Sequence, residues 1–307
     1  MNYITLTILP DRQAVAKFRA DDLEKRLREG TLRTFIPNTG STPIPMWDMV
    51  AERQLDLSGL TLLMLDELLS TSAYSAENSK SYQSWIREHI GMLSKTGIRL
   101  YKLDGNLMTC KAIDEKLRTD GVKQEGAVIK ISKDSELAAI ARFCEQYSHT
   151  LYMMKPELAS LGVGPMPYPH SALNCDYTPA DARTGLRIID GATRQKLAEE
   201  FGGLDNVPRY GISIGPFELV HYVREIWITA AGEAYTAPVD KALFTATYPD
   251  SDKHSSLGYL LTGKAKHDRN INIALDLDAA QILIEKIEIL VKQYESAGLS
   301  FTISNRA

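Results

Sequence analysis

Phe35-Ile36-Pro37-Asn38-Thr39-Gly40-Ser41-Thr42-Pro43 runs from an apolar strand-like segment into a Gly/Ser/Thr turn, and Pro43 stands where a helix can begin. Backbone N–H groups at such a turn and helix N-terminus form an anion site, and a sugar phosphate is a common occupant. The same residues also favour an ordinary βα turn. One βα unit later, Thr61-Leu62-Leu63-Met64-Leu65 leads into Asp66 and Glu67. Open α/β sheets hold their ligands beyond the carboxyl ends of parallel strands, so both carboxylates are candidate site residues.

Outward from this segment, apolar runs alternate with amphipathic ones. Strands are expected at 33–37, 61–65, 98–103, 150–154, 210–214, 225–230 and 270–275. Helices are expected at 13–28, 44–53, 79–91, 135–147, 193–201 and 279–296, the last capped by Asp278. Such alternation means βαβ units: a single α/β domain over residues 1–307, doubly wound, with a mainly parallel sheet. Two stretches interrupt the pattern. Residues 107–133 hold a short apolar run among charges, and 162–170 carry Pro165, Pro167 and Pro169 in a stiff irregular loop.

Composition narrows the function classes. A hydrophobic share of 44% and a charged share of 24% are ordinary for a globular protein. The net charge of -4, without blocks of like charge, argues against nucleic acid or a membrane surface as partner. No apolar run reaches the roughly 20 residues of a membrane span. The N-terminus lacks a basic n-region, so it does not read as a signal peptide. Cys110, Cys144 and Cys175 are widely spaced with no CxxC pair, and His254, His267 and Asp268 fit no metal-ligand spacing. A reducing cytoplasm and no metal are the expectations.

In collinear order the chain resembles the glucosamine-6-phosphate deaminase/isomerase family, whose superfamily includes 6-phosphogluconolactonase. Asn38-Thr39-Gly40-Ser41-Thr42-Pro43 resembles its phosphate loop, and Met64-Leu65-Asp66-Glu67-Leu68 its N-M-D-E-Y segment. Ser81-Tyr82-Gln83-Ser84-Trp85 and Leu103-Asp104-Gly105-Asn106 follow suit. Gly162-Val163-Gly164 and His170-Ser171-Ala172-Leu173-Asn174 resemble the two halves of its G-x-G-x-D-G-H-x-A-F-N-E-P loop, and residues 207–215 its V-P-x-x-A-L-T-V-G strand. The resemblance implies a Rossmann-like fold and a phosphorylated sugar as partner. It implies no cofactor, and a homo-oligomer is compatible with it. Asp66 is the implied base for a C1/C2 proton shift, with Glu67 beside it holding the loop or the ring oxygens. His170 is the implied acid–base for ring opening. Asn38, Thr39, Gly40, Ser41, Thr42, Gly162 and Gly164 are the implied substrate and phosphate contacts.

The departures from the family are specific. The aspartate two positions before the histidine is Tyr168 here, and the glutamate five positions after it is Cys175. The family's phosphate arginine and lysine fall near Glu199 and Tyr235. Residues 107–133 read as an insertion. Asp176 is a candidate displaced carboxylate; Arg194, Lys196 and Lys241 are candidate replacement cations. Two other readings stay open: a non-catalytic sugar-phosphate binder or sensor on the same scaffold, and a lactonase-type hydrolase that also uses a histidine.

Overall fold

Strand formation in this chain follows burial on both faces. The segment Glu225–Ala230 is buried along its whole length, and Leu158–Gly162 nearly so. Strands covered on both sides belong in the middle of a parallel sheet. The computed structural model describes residues 2–71, 74–75, 80–117, 122–167, 169–175, 177–247, 255–265 and 267–305. Its strands in chain order are β1 (Asn2–Leu9), β2 (Thr34–Ile36), β3 (Thr61–Leu63), β4 (Asp66–Leu68), β5 (Arg99–Tyr101), β6 (Val122–Glu125) and β7 (Val128–Ile131). They continue with β8 (Leu158–Gly162), β9 (Gly185–Ile188), β10 (Tyr210–Ser213), β11 (Glu225–Ala230), β12 (Arg269–Asp276) and β13 (Ser300–Asn305).

Eight of these form one parallel sheet in the order β13-β1-β12-β11-β8-β2-β3-β5. From β2 the chain builds outward through β3 to β5, and from β8 it builds the other way through β11 to β12. The order therefore reverses between β2 and β8, which opens a crevice at their carboxyl ends. Helix α1 (Arg12–Glu29) follows β1, and α2 (Ile44–Glu52) follows β2. Four further helices, α3 (Tyr82–His89), α4 (Cys110–Lys116), α5 (Ala138–Met154) and α6 (Gly191–Phe201), come before β10. Arg19 pins α1 to the sheet: its guanidinium lies 4.9 Å from the Trp227 ring and donates to Ile228 O at 2.9 Å. No helix among the described residues is long and apolar enough to cross a membrane.

Several expectations change. A second, antiparallel sheet, β4-β10-β9-β7-β6, stands beside the first, so the strand expected at 210–214 leaves the main sheet. Residues 107–133 supply α4 and the β6–β7 hairpin, which joins through Val128 opposite Arg187. The strand expected at 150–154 is the end of α5. Ile140, Cys144, Tyr147 and Leu151 form one buried helical stripe, and helix continuity outweighs the local β preference of Thr-Leu-Tyr. Lys155, at φ 45°, and Pro156 end it. The two outer partners β1 and β13 were not expected; β1 is half-alternating and pairs on both sides. The helix expected at 279–296 is two, Leu277–Glu285 and Ile287–Ser296, and Asp276 rather than Asp278 caps the first by accepting from Ala279 N at 2.8 Å.

Candidate active site

Asp66 and Glu67 open β4, three residues beyond β3. Met64 and Leu65 are buried and carry the chain out of the main sheet at its carboxyl edge. The Tyr147 hydroxyl donates to Met64 O at 2.7 Å and holds the exit in place. Ser213 of β10 then pairs with Asp66. Successive strand residues face opposite ways, so the two carboxylates have different surroundings. Glu67 is fully buried and accepts from Leu68 N (2.9 Å), Tyr74 Oη (3.1 Å), Tyr82 N (3.2 Å) and Gln83 N (2.9 Å). It thus fastens the start of α3, where the helix N-terminus favours an anion. Burial pushes its carboxyl up to about 7 although these donors pull the other way. Asp66 is buried too, but no donor among the described residues hydrogen-bonds to it. Burial, then the charge of Glu67, push it up to about 8, against a smaller opposite pull from His170.

His170 sits at the far end of the proline-rich loop after β8. Its ring lies on Gly164: a Cβ there would fall 2.5 Å from Nε2, so only glycine fits under the imidazole. The loop closes through Gly164 N donating to His170 O at 2.7 Å. Nδ1 is 2.9 Å from Ala172 O, a group that only accepts, so Nδ1 carries a proton. Nε2 faces Thr193 Oγ1 at 3.1 Å, Asp190 Oδ2 at 3.5 Å and Cys175 Sγ at 3.8 Å. Burial alone would lower this imidazole; Cys175 and Asp190 outweigh it and push it up to about 10. Burial would likewise raise Asp190, and its contacts with His170, Cys175 and Thr193 instead hold it far below the usual carboxylate range.

Asp190 was not foreseen. It is the N-cap of α6, accepting from Thr193 N through Oδ1 at 3.0 Å, and this leaves Oδ2 turned toward His170. The histidine therefore has a carboxylate partner, supplied twenty residues downstream rather than from its own loop. Tyr168 and Asp176 lie outside the described residues. The local signal was present: Asp190-Gly191-Ala192-Thr193 is an N-cap pattern, but nothing in it points to His170.

The turn after β2 faces the same edge. Gly40 has φ 87°, a left-handed conformation that suits glycine. The N–H groups of Gly40, Ser41 and Thr42 donate to nothing among the described residues. Arg12, the first residue of α1, donates to Ser41 O at 2.6 Å. Lys196 of α6 donates to the Tyr235 hydroxyl at 2.9 Å. Burial would raise that phenol, but hydrogen bonds with Lys196 and Thr42 and the charges of Lys196 and Arg12 hold it below its ordinary value. Arg12 is thus bonded to the turn directly, and Lys196 is linked to it through Tyr235 and Thr42. Arg194 turns away to Leu204 O (2.9 Å), and Lys241 to Pro167 O (2.6 Å). Across the crevice, a Cβ on Gly162 would lie 3.9 Å from Asn38 Nδ2. Thr39 is half-buried beside buried Asn38. Asp190, Thr193 and Lys196 recur every third residue from the N-cap along one face of α6, so this face carries both the contacts to His170 and the cation that bonds Tyr235.

Sequence comparison finds curated relatives. The glucosamine-6-phosphate deaminase of Lactobacillus delbrueckii subsp. bulgaricus is 26% identical over 229 residues, 75% of this chain and 82% of its own. That of Streptococcus pneumoniae serotype 4 is 27% identical over 212 residues, covering 69% and 75%. This chain is a divergent relative of the glucosamine-6-phosphate deaminases. No family model matches it. Among solved structures, a monomeric glucosamine-6-phosphate deaminase superposes with TM-score 0.67 at 17% identity, over 91% of this chain and 99% of that one. The 6-phosphogluconolactonase of Trypanosoma brucei superposes with TM-score 0.63 at 14% identity, over 91% and 98%. These two likenesses establish the shared scaffold.

Proposed function

We propose that this divergent relative is a sugar-phosphate deaminase/isomerase acting on a phosphorylated amino sugar by C1/C2 proton transfer. The observation that carries the reading is Asp190 beside His170: the position that lost its loop carboxylates has another one, contributed by α6. The free amides of Gly40, Ser41 and Thr42 hold the phosphate, with Lys196 and Arg12 supplying the positive charge. Protonated His170 gives its Nε2 proton to the ring oxygen as the C1–O bond breaks. Burial holds Asp66 up to about 8, so its ionised fraction, which grows as pH rises toward that value, takes the C2 proton and returns it to C1, and the amine-bearing carbon becomes an imine. Water adds there and ammonia leaves, giving the 2-ketose phosphate. Glu67 holds α3 and the strand under Asp66 and is a positioning residue. Asn38, Thr39, Gly162 and Gly164 shape the crevice.

The lactonase reading needs His170 neutral, as a base toward water. Its environment favours the protonated form, which suits an acid. A protein of this kind works with a soluble substrate, and the cytoplasm suits such metabolism. Direct assay separates the readings. Ammonia and fructose 6-phosphate released from glucosamine 6-phosphate support the deaminase. Hydrolysis of 6-phosphogluconolactone alone replaces it with the lactonase, and binding of sugar phosphates without turnover replaces it with a sensor.

A further inference from the structure

His170, Cys175 and Asp190 bring an imidazole nitrogen, a thiol sulfur and a carboxylate oxygen within 4.8 Å of one another. Nε2 is 3.8 Å from Cys175 Sγ and 3.5 Å from Asp190 Oδ2. Zinc bonds of about 2.3 Å to sulfur and about 2.0–2.1 Å to nitrogen and oxygen set tetrahedral N–S and N–O edges of roughly 3.6 and 3.4 Å. These two separations therefore need to close by only a few tenths of an ångström, and Sγ and Oδ2 lie within 4.8 Å of each other.

The surroundings fit a ligand set. His170 Nδ1–H is already committed to Ala172 O, which leaves Nε2 as the coordinating atom. Histidine ligands are oriented by such a second hydrogen bond. Asp190 is fixed through Oδ1 by Thr193 N, while its Oδ2 is buried and has no hydrogen-bond partner among the described residues. His170 and Cys175 are 5% and 3% exposed, so water does not compete freely for them. A thiol beside an imidazole is a soft pair, which selects zinc or cobalt over magnesium or calcium.

We propose that His170 Nε2, Cys175 Sγ and Asp190 Oδ2 form a three-ligand site for a zinc-class divalent cation, with the fourth position left to Thr193 or a solvent or substrate oxygen. Binding forms the Zn–S, Zn–N and Zn–O bonds and releases the Sγ proton, and any proton on Nε2, to solvent. The cation and the Nε2 proton exclude each other. Zinc thus removes the ring-opening acid, a consequence that rests on the proposed function; the site itself does not.

The test uses the full chain stripped of metal and titrated with cobalt(II). One cobalt per chain is expected, with a tetrahedral visible spectrum and a near-ultraviolet thiolate-to-cobalt band. Zinc should bleach both and magnesium neither. Cys175→Ser should abolish the thiolate band, and Asp190→Asn should weaken binding at least tenfold, whereas Cys144→Ser should keep the band. If the Cys175 or Asp190 variants do not fold, the wild-type spectrum decides. A wild-type titration without a thiolate band, or a band that survives in folded Cys175→Ser, overturns the site. Zinc should also stop turnover of glucosamine 6-phosphate. Cobalt bound through Cys175 in a protein whose metal-free form shows no turnover would keep the site and remove the function.

Discussion

Asp190→Asn tests how the lost loop carboxylates are replaced. The change keeps the N-cap oxygen that Thr193 N uses, so α6 should still start in the same place. It removes a negative charge 3.5 Å from His170 Nε2. At an effective dielectric near 20, unit charges at that separation attract by about 5 kcal/mol. The Asp190 side chain is 22% exposed, and solvent screening reduces this to roughly 2–3 kcal/mol. That equals about 1.5–2 units in the imidazole pKa. His170 starts at about 10, so the variant should titrate near 8. Because the folded value lies above the unfolded one of roughly 6.5, the proton stabilises the fold fully below that pH and the stabilisation fades as pH rises to the folded value. In the variant it should be gone about two pH units earlier. Imidazole NMR titration, with His170→Gln to assign the resonance, measures the shift. A His170 titration that moves by less than about 0.3 units in a folded variant would refute the assignment of Asp190 as its partner.

Other perturbations have definite expectations. Gly40→Val forces a β-branched residue to φ 87° and crowds the free amides, so a sugar phosphate at about 100 times its Kd should lose the roughly 2.7 kcal/mol by which it stabilises the wild type in thermal unfolding. Lys196→Ala should raise KM about tenfold with kcat little changed, and Arg194→Ala should leave both alone; the reverse pattern removes Lys196 from the phosphate site. Asp66 is held at about 8 in the fold against roughly 4 when unfolded, so the folded state binds the extra proton across that window. Stability should fall by a few kcal/mol as pH rises from 5 to 9 in the wild type, and Asp66→Asn should flatten that fall in urea titrations; equal slopes for both proteins would contradict the burial argument.

What sequence could reveal divides by range. The turn at 38–43 and the run at 225–230 are local patterns, and each folds as its own residues dictate. Periodicity failed where helix and strand preferences compete over a few residues, as at 150–154, which α5 absorbs because its buried stripe continues. It also failed for β4 and β9, short antiparallel strands whose partners lie far along the chain, and it found β10 at 210–214 but not its place in the second sheet. The site shows the same division. Asp66, His170 and the turn are candidates named from local motifs, but the partners of His170 are set by α6 docking against the proline-rich loop. Lys196 could be named only as one cation among several, since nothing local distinguishes it from Arg194.

Exchange of the C2 proton of glucosamine 6-phosphate into deuterated water, followed by NMR, bears most directly on the central claim. The wild type should exchange, and Asp66→Asn should do so about 10²–10⁴-fold more slowly while binding the sugar phosphate equally well. Wild-type rates in Asp66→Asn, or no exchange by a wild type that demonstrably binds the sugar phosphate, would contradict Asp66 as the base that moves the carbon-bound proton.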